Sequence, residues 1–211
     1  MFIIVKKNLA FFAGYCGIVF ILTAILRVAL GNENAVPLVL IAGVMIFMLV
    51  YGAVFFNEQY EEKHKAYDFL DTLPVSAGEI VSAKFGLVLV TVAATVGYML
   101  LLFSLSSVAP NDWILLRSFL LMSGAVSLIG AALSYIGIFA LTYTKFAVIV
   151  MSFVVLLGFV PVLVMKFYGD NMPVLIENIL TFLRNVNWAA VIPLTLIGYF
   201  GLMLLAIKIK E

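Results

Sequence analysis

The chain has 211 residues, 65% of them hydrophobic and 11% charged, with a mean hydropathy of +1.23. Soluble domains are roughly a quarter charged and less than half apolar, so a water-soluble core is excluded. The polar stretches between apolar runs are too short for a separate soluble domain, and a net charge of +1 gives no reason to expect nucleic acid or an acidic substrate.

Crossing about 30 Å of hydrocarbon takes about 20 apolar residues. Six such runs predict an all-α membrane protein with six transmembrane helices in a single domain, residues 1–211. The first run, 9–30, follows Lys6 and Lys7 but is too long for the apolar region of a secretory signal, and no small-residue cleavage site closes it. It is expected to remain as a span. Cys16 within it is the sole cysteine, and with neither a disulfide nor a metal partner it is expected to be a packing residue.

The second run, 36–56, leads into NEQYEEKHKAYDFLDT, residues 57–72. At helical spacing this segment sets Tyr60, His64, Tyr67 and Leu70 along one side and Glu58, Glu61, Glu62, Lys65 and Asp68 along the other. Glu61 and Lys65 have the i, i+4 order that supports a helix in water. Leu73 and Pro74 end it. Ser76 and Glu79 then have capping-box spacing, which predicts a new helix from Ala77 that enters the bilayer near Phe85 and becomes the third span, 85–108.

The fourth run, 113–142, repeats small residues at Ser123, Ser127, Gly130, Ala131, Ser134 and Gly137, a spacing that lets helix backbones approach closely. Packing within one subunit and a subunit interface are both open readings of that stripe. A tight turn carrying Thr144 and Lys145 leads to the fifth run, 146–165, which contains Pro161. Residues 173–186 are amphipathic but too polar to span; Leu175, Ile179, Phe182, Leu183 and Val186 share one face, as expected of a helix lying at the outer interface. The sixth run, 188–207, contains Pro193, and each proline removes a backbone donor and predicts a kink or broken turn.

Lys6, Lys7, Lys63, Lys65, Lys84, Lys145, Lys208 and Lys210 all fall on one side of this arrangement. The short connections 31–35 and 109–112 carry no lysine or arginine, so the positive-inside rule puts the lysine-bearing side, and both termini, in the cytoplasm. Lys166 and Arg184 run against the rule and are outnumbered.

No Asp, Glu, Lys, Arg or His lies near the centre of a predicted span, which argues against an intramembrane enzyme or a proton-coupled carrier. The chain has no phosphate-binding loop of the Gly-Lys-Ser/Thr kind, so it is not expected to hydrolyse ATP by that route. Any energy for uphill transport must come from another chain. In 57–72 the acidic Glu58, Glu61, Glu62, Asp68 and Asp71 outnumber the lysines, which points to a protein partner with a basic groove rather than to anionic lipid heads.

The sequence resembles the membrane subunits of type-2 ABC exporters. The resemblance is carried by Glu61-Glu62-Lys63, by Phe69-Leu70-Asp71-Thr72-Leu73-Pro74-Val75-Ser76, and by Glu79-Ile80-Val81 followed by Ala83-Lys84-Phe85, all directly after the second of six spans. It is most similar to the short bacterial permeases that include the exporter of phenol-soluble modulins. The resemblance implies a non-enzymatic permease in the bacterial cell membrane, paired with a second copy or a related permease. Two cytoplasmic ATPase subunits would hold the ATP and Mg, and this chain itself would hold no cofactor or metal. It implies that Tyr60, Glu61, Glu62, Lys63, Lys65, Tyr67, Asp68, Leu70 and Asp71 form a coupling helix against the ATPase, with Thr144 and Lys145 as a second contact. The expected cargo is a hydrophobic or amphipathic substrate, a peptide being one candidate. The competing reading is a membrane scaffold or immunity protein that binds a hydrophobic peptide without pumping it.

Overall fold

In a lipid solvent a backbone N–H or C=O without a partner costs several kcal/mol, which favours segments that satisfy their own hydrogen bonds. The computed structural model describes residues 17, 21, 35–63, 76–104, 110–158 and 172–211, and among them the regular structure is entirely helical. We number these helices α1 (Ala35–Lys63), α2 (Ala77–Ser104), α3 (Pro110–Leu141), α4 (Tyr143–Gly158), α5 (Met172–Asn185) and α6 (Trp188–Lys210). Within them Ala77–Ser104, Trp113–Leu141 and Trp188–Lys210 are long and apolar enough to cross a membrane. The expected first span apart from residues 17 and 21, residues 64–75 and 105–109, and residues 159–171 with Pro161 lie outside the described residues.

The start of α2 follows from its capping residues. The Glu79 amide donates to Ser76 Oγ at 3.2 Å and the Ser76 amide donates to Glu79 Oε2 at 3.1 Å, the reciprocal box the sequence predicts. The helix then runs without interruption from Ala77 to Ser104. Pro193 does not break α6, which is continuous from Trp188 to Lys210. Proline there removes one backbone donor and leaves the Ala189 carbonyl without its usual partner, yet the helix continues through it.

The fold is organised around α3, which packs against α1, α2, α4, α5 and α6. Leu116, Leu120, Leu128, Ala131, Tyr135 and Ile138 on α3 are buried together with Val50 and Val54 of α1, Phe85, Val88 and Met99 of α2, and Tyr199 of α6. Close helix contacts within the described chain use glycines, two of them, Gly130 and Gly137, from the predicted stripe. Gly43 lies against Phe119, Gly124 against Val96, Gly130 against the Tyr51 hydroxyl, and Gly137 against the Phe146 ring, so each glycine opens the slot its neighbour fills. Buried hydroxyls in the core turn back on their own helices: Thr91 donates to Leu87 O, Thr95 to Thr91 O and Ser134 to Gly130 O. Ser127 Oγ is buried with no partner among the described residues.

Contacts of Lys84 with Glu58 and Glu61, of Thr144 with Glu62 and of Lys210 with Phe139 gather the end of α1, the start of α2, the α3–α4 turn and the end of α6 at one end of the bundle. This is the end rich in lysine. At the other end Trp188 Nε1 donates to Ser118 Oγ at 3.0 Å, tying the start of α6 to the first turns of α3. Helix α5 lies beside α3 there, with Leu183 buried and Val174, Ile179 and Phe182 exposed. That division leaves most of its apolar face uncovered by the described chain.

Candidate functional site

The lysine-rich end is held together by polar contacts that an apolar bundle does not need for packing alone. Helix α1 does not stop where its apolar run stops; Asn57, Glu58 and Glu61 continue it, and the face bearing the two carboxylates turns inward while Tyr60 is exposed. Glu58 is 0% and Glu61 3% exposed. Opposite them, on α2, Lys84 shares its helix face with Ile80, Val81 and Val88, and is itself only 3% exposed. A lysine on an apolar face must find carboxylate partners or lose its charge. Lys84 Nζ makes an ion pair with Glu58 and a second with Glu61 at 2.7 Å. Asn57 Nδ2 donates to the other oxygen of Glu61 at 3.2 Å, which fixes that carboxylate in place.

Aromatic rings complete the setting. The Lys84 ammonium lies 5.8 Å from the Tyr135 ring centre and 5.7 Å from that of Phe139, within the range of cation–π attraction. Lys210 of α6 lies 5.6 Å from the same Phe139 ring. The next residue of α2, Phe85, packs against Tyr135 at 5.7 Å and Tyr199 at 5.2 Å, and its carbonyl accepts a hydrogen bond from the Tyr199 hydroxyl at 2.5 Å. Four helices, α1, α2, α3 and α6, therefore meet at Lys84 and Phe85.

The α3–α4 turn is joined to the same end. Only Thr142 separates the two helices, and it holds a φ of 70°, the left-handed region that a β-branched residue adopts at a cost of about 1–2 kcal/mol. Its amide donates to Ile138 O at 2.9 Å and its carbonyl accepts from the Phe146 amide at 3.1 Å. Two residues on, Thr144 Oγ1 donates to Glu62 Oε1 at 2.7 Å. Tyr143 packs edge-on against Phe55 of α1, and burial, with the Glu62 and Glu58 carboxylates nearby, raises its phenol above the ordinary tyrosine range and keeps it a donor. Phe47, Tyr51 and Phe55 stack in sequence along α1 and end on Phe146 of α4. Because glycine has no steric penalty at positive φ, Thr142→Gly is expected to raise stability by about 1 kcal/mol, read as a higher midpoint in thermal unfolding of the detergent-solubilised protein. A lower midpoint would show that the threonine methyl stabilises the turn more than its backbone strains it.

The residues named from sequence divide accordingly. Tyr60, Glu62, Lys63, Thr144 and Lys145 are exposed on this end, and Glu62 and Thr144 touch. Glu61 is turned into the bundle against Lys84, so it shapes this surface from beneath. Lys65, Tyr67, Asp68, Leu70 and Asp71 lie outside the described residues. The ion pairs with Lys84 are what sequence reasoning missed. A lone lysine at i+3 and i−4 from Val81 and Val88, with two glutamates i, i+3 apart on the preceding helix, was the available signal.

Deeper in the bundle an apolar cleft of about 330 Å³ opens between α2, α3 and α6, walled by Leu89, Val96, Gly97, Leu121, Gly124 and Leu196 among others. No group of three or more metal-ligating side chains occurs among the described residues. The sequence profile of the family described as "ABC-2 family transporter protein" matches residues 2–209. No curated protein and no solved structure shows significant similarity to the chain.

Proposed function

The chain belongs to the ABC-2 transporter family, and on that premise we propose that it is the permease subunit of an ATP-driven exporter. A separate cytoplasmic ATPase binds and hydrolyses ATP with Mg, and two permease chains form the path across the bacterial cell membrane. Six spans with both termini in the cytoplasm put the lysine-rich end on the ATPase side. The ATPase seats on the outer faces of Tyr60, Glu62, Lys63, Lys65, Tyr67, Asp68, Leu70 and Asp71, with Thr144 and Lys145 at the edge of the same surface. The observation that carries this reading is the hydrogen bond between Glu62 and Thr144. It joins two segments 82 residues apart into one exposed surface at the end where an engine outside the membrane must push.

The cargo is a hydrophobic or amphipathic molecule, with peptides of the phenol-soluble modulin kind as candidates. The apolar cleft between α2, α3 and α6 supports that choice of substrate class, since its walls offer dispersion contacts and almost no hydrogen-bonding groups.

The test is co-purification. The permease extracted in mild detergent is expected to bring down a cytoplasmic ATPase and to show no ATP hydrolysis when stripped of it. Glu62→Lys combined with Asp68→Lys should weaken the association at least tenfold; full retention of the ATPase by this variant would sink the assigned surface.

A further inference from the structure

Resting on the permease reading above, we infer that Lys84 is a positioning residue that locks the coupling end of α1 to α2, so that motion imposed at the membrane surface is carried into the spans. Apolar helix faces resist separation but slide over one another at small cost, which is how shear motions between packed helices occur. Helix α1 meets α2 through Ile46, Val50 and Val54 on one side and Val81, Phe85 and Val88 on the other, side chains of this sliding kind. A push on the exposed end of α1 would be lost as slip. Charged hydrogen bonds are directional and short, and they resist displacement along the helix as well as away from it.

The structure has such bonds at one level. Lys84 binds Glu58 and Glu61, one helical turn apart on α1, so that both registry and rotation of that helix are fixed against α2. The ammonium is also held over Tyr135 and Phe139 of α3, and the adjacent Phe85 carbonyl is bonded to Tyr199 of α6. All three charged groups are almost completely buried, where low polarity strengthens each bond and water does not compete for it. The joint sits directly beneath Tyr60, Glu62 and Lys63 on the exposed face, on the inner side of the same helical turns.

The experiment uses the complete complex of permease and ATPase in lipid nanodiscs, with Cys16 replaced by serine. Single spin labels are placed at Gln59, exposed at the end of α1, or at Leu101, exposed at the far end of α2. The distance between the two permease copies is read with and without ATP and vanadate. In the wild type both distances are expected to change on trapping. In Lys84→Gln the Gln59 distance should still change while the Leu101 change falls by at least half, and Lys84→Arg should restore it.

Because removal of one buried charge could unfold the chain, the combined variant Glu58→Leu, Glu61→Met, Lys84→Met supplies an apolar replacement of similar volume. It is expected to fold, bind the ATPase and show the same loss at Leu101. A folded apolar variant whose Leu101 distance changes as much as the wild type's would overturn the inference and leave the permease reading intact. A wild-type complex in which neither distance responds would instead overturn the permease reading, and the joint with it.

Discussion

Lys84→Met is expected to lower the stability of the chain by about 3–5 kcal/mol, the cost of removing one partner from a buried ion pair. Methionine fills most of the lysine's volume and is welcome on a helix face made of Val81, Phe85 and Val88, so packing loss is small. The cost arises on α1. Glu58 and Glu61 lose the ammonium that both of them face, at a depth where they are 0% and 3% exposed. Without it the two carboxylates repel each other in an apolar setting. Titration of the purified protein with a denaturing detergent, followed by helical circular dichroism, measures the change. The same scan on the apolar triple variant should come out near or above the wild type, since well-packed apolar groups often match or exceed a buried ion pair. Equal stability of Lys84→Met and wild type would mean that the carboxylates are not held by this lysine.

The second large effect is expected at Gly137. Alanine in place of glycine usually stabilises a helix by about 1 kcal/mol, and Gly201 of α6, with nothing near its missing Cβ, should show that gain. At Gly137 the sign reverses. The Phe146 ring occupies the space a Cβ would need, and that ring is stacked on Phe55 with 6.2 Å between centres, so its retreat would break that stack. Gly137→Leu is expected to cost about 2–3 kcal/mol through overpacking and to push α4 away from α3. Thermal unfolding of Gly137→Leu beside Gly201→Ala checks the contrast. A Gly137→Leu protein as stable as its parent would show that α4 moves aside without penalty.

Much of this architecture was legible in the chain because lipid leaves few options. Apolar runs of adequate length gave the helices, and Ser76 with Glu79 gave the start of α2 to the residue, since a capping box acts through bonds that are local in sequence. The paired use of Ser123, Gly130, Ser134 and Gly137 was recognisable as close packing. What it packs against was not, because the partners lie on other helices, Gly43 beside Ser123 and Tyr51 beside Gly130 on α1, and Phe146 beside Gly137 on α4.

The sequence singled out Tyr60, Glu62, Thr144 and Lys145, which lie at one end of the bundle, but not the ion pairs beneath them. Counting acids against bases in 57–72 suggested a partner surface, but the count cannot say which acids face outward. Glu58 and Glu61 turn inward because Lys84, 23 and 26 residues away, needs them, and such non-local pairings leave no periodic trace. The Glu62 to Thr144 bond is the same kind of fact at longer range.

The length of α1 has a mechanical meaning. Its 29 residues extend about 43 Å at 1.5 Å per residue, against about 30 Å of hydrocarbon. The grip on Glu58 and Glu61 lies near one tip, so the helix has a short arm outside the joint and a long arm of about 35 Å reaching back to Ala35. A tilt of about 10° at that level, taken by α1 together with the α2 it is locked to, would sweep Ala35 through about 6 Å, while the tip at Lys63 would travel little more than 1 Å. On the proposed permease reading, a short stroke on the ATPase side would become a wide one at the other end of α1, a gear ratio of about five to one set by where a single lysine takes hold.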